Sequence, residues 1–506
     1  MRLPCPVSIF PEASCFEREK VKRTRSKILA GAAIAATLLA APASAETLRE
    51  ALIKAYGTNP TLTGARAGQR ATDENVPLAR AQGRPTLNAQ ADYTENVVIP
   101  ANSFNAPSRS ISGQAQLVVP LYRGGGVKNA IRAADTRVEA GRANLRGAEA
   151  SVFSAVVGAY MDVIRDTAIV QLNQANVNVL DVNLQATQDR FEVGDLTRTD
   201  IAQSQARLAI SRSQLQSAQA QLIRSKELYI QLVGSPPGEL APPPPLPNLP
   251  ASPEQASEVA IVNNPDLEAA AKEREAARYD VKVANASRLP TLSAVSGGSY
   301  NNYLGTLDSS ITGGATTQVT KAATVGLQAN IPLYQGGAPS ARVRQAQARQ
   351  SQAIEQQIAV ERDVVAQTRA SYASWQASQE VIASSQTAVD ANKLSLEGVR
   401  AENSVGTRTI LDILNAEQEL LNSQVQLVTA KRDAYVAGFT LLAAMGQAEA
   451  QDLGLDGGPL YDPIANYKRV HNRLWDWDSD PKPQPVATRT VDTPPQNPTV
   501  VALPKN

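Results

Sequence analysis

Very few side chains in this sequence are equipped for covalent chemistry. Cys5, Cys15 and His471 are its only thiols and its only imidazole in 506 residues. Both cysteines precede a short apolar stretch at 28–39, which follows Lys20, Lys22, Arg23, Arg25 and Lys27 and leads to Ala43-Ser44-Ala45. A basic segment, an apolar core and a small-residue site read as a secretory signal peptide spanning 1–45, with cleavage before Glu46. The exported part then has no thiolate nucleophile, disulfide or cysteine metal site. His471 has no second histidine to pair with and reads as a solvated side chain. With 42 Lys/Arg against 45 Asp/Glu, residues 46–506 carry a net charge of −3, which gives no basis for nucleic-acid binding. No catalytic, cofactor or metal constellation is predicted, and an enzyme is the least favoured reading.

The information lies instead in a repetition. Val119-Pro120-Leu121-Tyr122-Arg123-Gly124-Gly125 returns as Ile331-Pro332-Leu333-Tyr334-Gln335-Gly336-Gly337, 212 positions later. Tyr160 returns as Tyr372, Val193-Gly194 as Val405-Gly406, Asp200 as Asp412, and Val233-Gly234 as Met445-Gly446, all at the same spacing. A duplication of this size sets the architecture. A first repeat spans 46–234, a second 251–446. Between them a linker at 235–250 holds eight prolines, and a Pro- and Asp-rich tail at 447–506 reads as disordered or laid over the surface.

Each repeat follows one plan. Short helices are predicted at 46–56 and 61–82, then the period drops to two. Leu87, Ala89, Ala91 and Tyr93 alternate with polar residues, as do Ala115, Leu117 and Val119, and later Ala323, Val325, Leu327 and Ala329. Strands are expected at about 86–99, 111–121, 291–303 and 322–333. After each glycine elbow comes a proline-poor segment; the first, 127–192, would reach about 100 Å as a helix. Val156, Val163, Val170, Val177 and Leu184 recur every seven residues, as do Ile382, Val389 and Leu396, the seam of a coiled coil. The return helix at 197–233 is too short to cover its partner. The helix at 61–82 has about the missing length, so the two shorter helices are expected to stack end to end beside the long one.

No apolar run of helical-span length is expected after cleavage, which leaves the strands as the membrane element. Strands apolar on one face and polar on the other suit an outer-membrane barrel. Four strands cannot close one, and an open edge in lipid leaves backbone groups unpaired. Several chains must therefore contribute. Two would give eight strands and three would give twelve.

The duplicated plan, the paired Pro-Leu-Tyr-x-Gly-Gly elbows and Ser404-Val405-Gly406-Thr407-Arg408-Thr409-Ile410-Leu411-Asp412-Ile413-Leu414 resemble the TolC family of outer-membrane efflux and type I secretion channels. The resemblance runs from about Glu46 to Gly446. It implies a mainly α homotrimer in which long-helix hairpins form a periplasmic α-barrel tunnel beneath a shared 12-stranded β-barrel in outer-membrane lipid. It further implies a passive exit duct of a tripartite export system, fed by an inner-membrane pump of ABC or RND type through a periplasmic adaptor protein and opened at its tip by these partners.

By the same resemblance, Gly194 and Gly406 are the tip turns. Asp412 matches the first acidic position of the family's aperture ring, and Asn415 stands where the second would be. Arg408 matches the arginine of a tip latch, with Thr199 and Asp200 as its partners, while Asn403 replaces an assisting tyrosine. Asp200 and Thr409 also suit ordinary helix caps. Pro120, Tyr122, Gly124, Pro332, Tyr334 and Gly336 form the barrel-to-tunnel elbows, where the tyrosines either anchor at the interface or fill the junction. A periplasmic adaptor or scaffold is the alternative class. It needs one hairpin and a compact β-rich domain, and leaves two pairs of amphipathic strands unexplained.

Overall fold

The computed structural model describes residues 45–99, 107–247, 249–307, 316–455 and 460–500. The expected signal peptide lies outside them but for Ala45. Within the first repeat, α1 (Leu48–Thr58), α2 (Pro60–Asp73) and α3 (Asn75–Ala81) lead to β1 (Thr86–Glu95) and β2 (Arg109–Arg123), then to α4 (Gly126–Glu192) and α5 (Arg198–Val233). The second repeat gives α6 (Pro253–Asn263), α7 (Pro265–Ala286), β3 (Thr291–Asn302), β4 (Val319–Asn330), α8 (Ala338–Ser404) and α9 (Ile410–Ala444). Where α7 is continuous, its counterpart in the first repeat is split at Glu74. Pro77 is the cause: without an N–H it cannot donate to the Asp73 carbonyl.

The long helices α4 and α8 are 67 residues each, about 100 Å. Val156, Val163, Val170 and Val177 are buried along α4, and Leu396 along α8. A window of α4 is apolar enough in length and composition to cross a membrane, contrary to expectation, but half of it is buried in the protein's own core.

The end-to-end stacking has a specific joint, built twice. The Asn59 carboxamide oxygen caps α2 through the Thr61 and Leu62 amides, while its nitrogen donates to the Leu232 carbonyl at the end of α5, 2.9 Å away. Asn264 does the same for α7 through Asp266 and Leu267, donating to Ala444 O at the end of α9, also 2.9 Å. One buried amide satisfies orphan groups of two helix ends at once. Toward the sheet, α2, α3, α4, α7 and α8 lie side by side; beyond the joints the neighbours are α5, α4, α9 and α8.

The four strands form one antiparallel meander in the order β1-β2-β3-β4. Pro120, which cannot donate to a ladder, sits at a bulge: Pro120 pairs with Ser293 and Tyr122 with Leu292, leaving Leu121 over. In the second repeat the strand ends at Asn330, before Pro332 and Tyr334. Residues 331–335 would continue β4 only beside a further strand, and in a single chain β4 is an edge.

The tail is more ordered than its composition suggests. It carries α10 (Pro463–Val470), whose Asn466 donates to Asp73 and whose Tyr467 donates to Asp135 on α4. Farther on, Lys226 of α5 donates to the carbonyls of Asn497 and Thr499.

Candidate functional site

The two turns farthest from the sheet, joining α4 to α5 and α8 to α9, are built alike. Gly194 and Gly406 have φ of +87° and +81°. The Asp195 amide reaches back to Arg190 O at 2.9 Å and the Thr407 amide to Glu402 O at 3.0 Å, closing each helix with a left-handed residue. Capping boxes open the return helices. Thr197 N and Oγ1 donate to Asp200 Oδ2 at 2.9 and 2.7 Å; Thr409 N and Oγ1 donate to Asp412 Oδ2 at 3.0 and 2.7 Å. Hydrogen bonds from Thr197 and from Thr409 hold both carboxyls below the usual aspartate range. Both aspartates thus cap helices, and one oxygen of Asp412 is committed to that task.

Among the expected latch residues, Arg408 meets Glu402 on its own hairpin, Nε to Oε2 at 2.7 Å, and within one chain it is not paired with Thr199 or Asp200. This carboxylate raises the guanidinium pKa. Asn403 donates to Arg408 O at 2.7 Å and tightens the turn, and Thr199 is exposed.

The links between the two hairpins lie about one to three helical turns inside the tip. Arg207 on α5 donates to Asn415 Oδ1 on α9 at 2.6 Å. Glu417, 5% exposed, accepts from Asn183 on α4 at 3.1 Å through both oxygens and from Arg400 on α8 at 3.0 Å. One buried carboxylate thereby ties three helices together. Sequence reasoning passed over Asn183, Arg207, Arg400 and Glu417. A usable signal was present: 212 positions before Glu417 stands neutral Gln205, and 212 after Arg207 stands acidic Glu419, so the repeats differ in charge at the contact.

At the other end, Gly124, Gly125, Gly336 and Gly337 all have positive φ, and Gly125 and Gly337 precede the first residues of α4 and α8. Only Gly124 is enclosed: a Cβ there would meet Ala286 O and Leu289 Cβ at 2.9 Å. Tyr122 is half exposed and Tyr334 almost fully so.

Two hairpins of coiled coil, a glycine-elbowed sheet at one end and capped turns at the other are accounted for by one family. The family model described as outer membrane efflux protein matches residues 51–235 and again 256–447. The chain belongs to this family. It is 34% identical over 453 residues to the outer membrane efflux protein BepC of Brucella suis biovar 1, covering 89% of this chain and 96% of that protein. Similarity to the outer membrane protein TolC of Escherichia coli K12 is 28% identity over 471 residues, covering 88% and 93%. In fold it matches the solved channel CusC with a TM-score of 0.69 at 20% identity, over 79% of this chain and 92% of that one. As a member of the outer membrane efflux protein family, the chain is an export channel protein of the outer membrane. Its relatives are channel and transport proteins rather than enzymes.

Proposed function

We propose that three copies of this chain close head to tail into a passive exit duct, a β-barrel in the outer membrane continued by a periplasmic helical tunnel. The supporting observation is that, among the described residues, the flanks of the chain are left without partners in both sheet and helices. β1 and β4 are free edges, and α8 has five buried residues where the equally long α4 has twenty-two. First-repeat elements form one flank and second-repeat elements the other, so the contact between copies joins unlike surfaces and must close into a ring. Pairing β4 of one copy with β1 of the next removes both edges, which lipid demands. With four strands per chain, three copies give about twelve, within the range of such barrels.

In this reading the duct is passive, and the driving force comes from an inner-membrane pump of ABC or RND type, coupled through a periplasmic adaptor. Export through a cleaved signal peptide supplies the route to the membrane. The tip turns at Gly194 and Gly406 form the docking end, and the partners open it. Asp412 rings the aperture with its uncommitted oxygen, and Asn415, an amide bound by Arg207, adds no charge. Between neighbouring copies, Arg408 exchanges Glu402 for Thr199 and Asp200 of the adjoining coil. At the other end Tyr122 and Tyr334 anchor the elbows in the interface.

The deciding measurement combines the oligomeric mass of the detergent-purified protein with its single-channel conductance in a planar bilayer. A trimer with small, mostly closed currents supports the gated duct; a non-conducting monomer overturns it and restores the scaffold reading. Asp412→Ala is expected to abolish block by multivalent cations. Because its pKa is lowered, the carboxylate stays ionised at acidities where an ordinary aspartate would be neutral. Block of the native channel should therefore persist below about pH 4. Block that disappears well above that pH, or survives in Asp412→Ala, removes Asp412 from the aperture.

A further inference from the structure

We propose that the tail carries a membrane anchor: residues 474–477 place Trp475 and Trp477 in the periplasmic leaflet of the outer membrane, at the foot of the barrel. The proposal rests on the duct reading for the direction of the membrane. It comes from the path of the tail. After the second repeat the chain binds near the waist, where the Tyr461 amide donates to the Tyr56 hydroxyl at 2.9 Å. It climbs along α2 and α3 as α10, meeting Asp73 through Asn466 and then Arg80 through Asn472. Arg84 Nη1, two residues before β1, holds the Arg473 carbonyl. By residue 488 the chain has returned to the end of α5: a Cβ on Gly234 would meet Thr488 Oγ1 at 2.5 Å. Residues 474–480 are thus the apex of a long excursion that turns at the base of the sheet.

The apex is a closed loop with its apolar side chains outward. Arg469 pairs with Asp480 at 2.6 Å, and Arg473 with Asp478 and Asp480 at 3.2 and 3.3 Å. These pairs pin the two legs together. Lys468, Arg469 and Arg473 balance Asp476, Asp478 and Asp480, so the loop brings no net charge to a headgroup layer. Leu474, Trp475 and Trp477 are 75%, 74% and 87% exposed. They are held out where water makes such exposure unfavourable. Trp477 lies within about 14 Å of the Arg84 contact even on a fully extended path.

Lipid is the occupant that fits this position. Leu333 and Tyr334, at the second-repeat elbow on the opposite flank, are about nine-tenths exposed in one chain, so apolar and aromatic side chains face outward at this end of the molecule on both flanks. Outer-membrane barrels carry aromatic girdles at their interfaces, and indole, apolar with one polar N–H, suits that depth. The chain's third tryptophan, Trp375, packs edge-on to Tyr372 beside the core at the waist, away from any bilayer.

The test uses the full-length channel reconstituted into phosphatidylcholine vesicles brominated either near the headgroups or near the chain ends. Tryptophan emission is expected to be strongly quenched by the shallow bromines and weakly by the deep ones. W475F/W477F should conduct normally and lose most of the quenchable emission, because only Trp375 remains. Unquenched emission from a channel that inserts and conducts overturns the anchor while leaving the duct intact; a blue-shifted but unquenched spectrum does the same in favour of a neighbouring copy. Quenching unchanged in W475F/W477F assigns the signal to Trp375 and also overturns it. Failure of the native protein to insert or conduct overturns the duct reading and the anchor with it.

Discussion

Gly446→Ala is expected to cost on the order of 4 kcal/mol and to leave little protein able to assemble. Gly446 ends α9 at φ +71°, where any side chain already costs about 1–2 kcal/mol. The larger part is steric. A Cβ would lie 2.4 Å from the Asn263 carbonyl oxygen, 2.7 Å from its carbon and 3.0 Å from Asn264 Cα. These are backbone atoms of the residue pair that caps α7 and holds the end of α9, so relief on one side opens the joint on the other. The duplication supplies an internal control. Gly234 occupies the same place in the first repeat at φ +85°, but its nearest neighbours are the hydroxyls of Thr488 and Thr58, which can rotate. Gly234→Ala should therefore cost only about 1–2 kcal/mol. Thermal loss of helical ellipticity in detergent, followed for both variants, reads the difference. Equal midpoints would show that the second joint is not the tighter one.

That contrast marks what the sequence could and could not tell. Paired glycines at a constant spacing, Asn-Pro steps and the change of period from seven to two are local signals, each with one dominant physical cause. They were enough for the elements, the mainly α class with a small sheet, and the family. Pro77 was equally local and shows how a single missing N–H splits a helix whose apolar pattern runs on unbroken. The tail left two readings open, disordered or laid over the surface, because its prolines suppress long helix and sheet; its described residues lie over the surface, fixed by α10, by ion pairs such as Arg469–Asp480 and by carbonyls offered to Lys226. At the tip, resemblance pointed to Arg408 and Asp412. The contacts that join the hairpins within one chain run through Glu417 and Arg207; the charge difference between the repeats marks these positions, but which partners they meet depends on side-chain direction across a four-helix contact, a property of packing.

Removing those contacts should open the channel without unfolding it. Glu417→Ala strands the Asn183 amide and releases Arg400, and Arg207→Ala frees Asn415; together they cut the polar links that cross from the first hairpin to the second among the described tip residues. A hydrogen bond to a charged group contributes about 1.5–3 kcal/mol. Arg400 joins Glu417 within the second hairpin; of the two crossing links, Arg207–Asn415 is exposed to solvent and screened, so the lower end applies. A bias of about 2 kcal/mol per chain corresponds to roughly a 30-fold fall in the closed-to-open ratio. The two links lie within two turns of each other, so their effects should not simply add. Helical content and trimer mass should be unchanged, because α4 and α9 stay side by side, with Val170, Val177 and Leu414 in one buried apolar cluster. Open probability in a planar bilayer reads the shift. Glu419→Ala, two residues on and exposed, is the control and should conduct like the native channel. If the double variant is as firmly closed as Glu419→Ala, the hairpins are not restrained by these links. Closure would then rest on contacts between copies, with Arg408 and Asp200 the residues to change next.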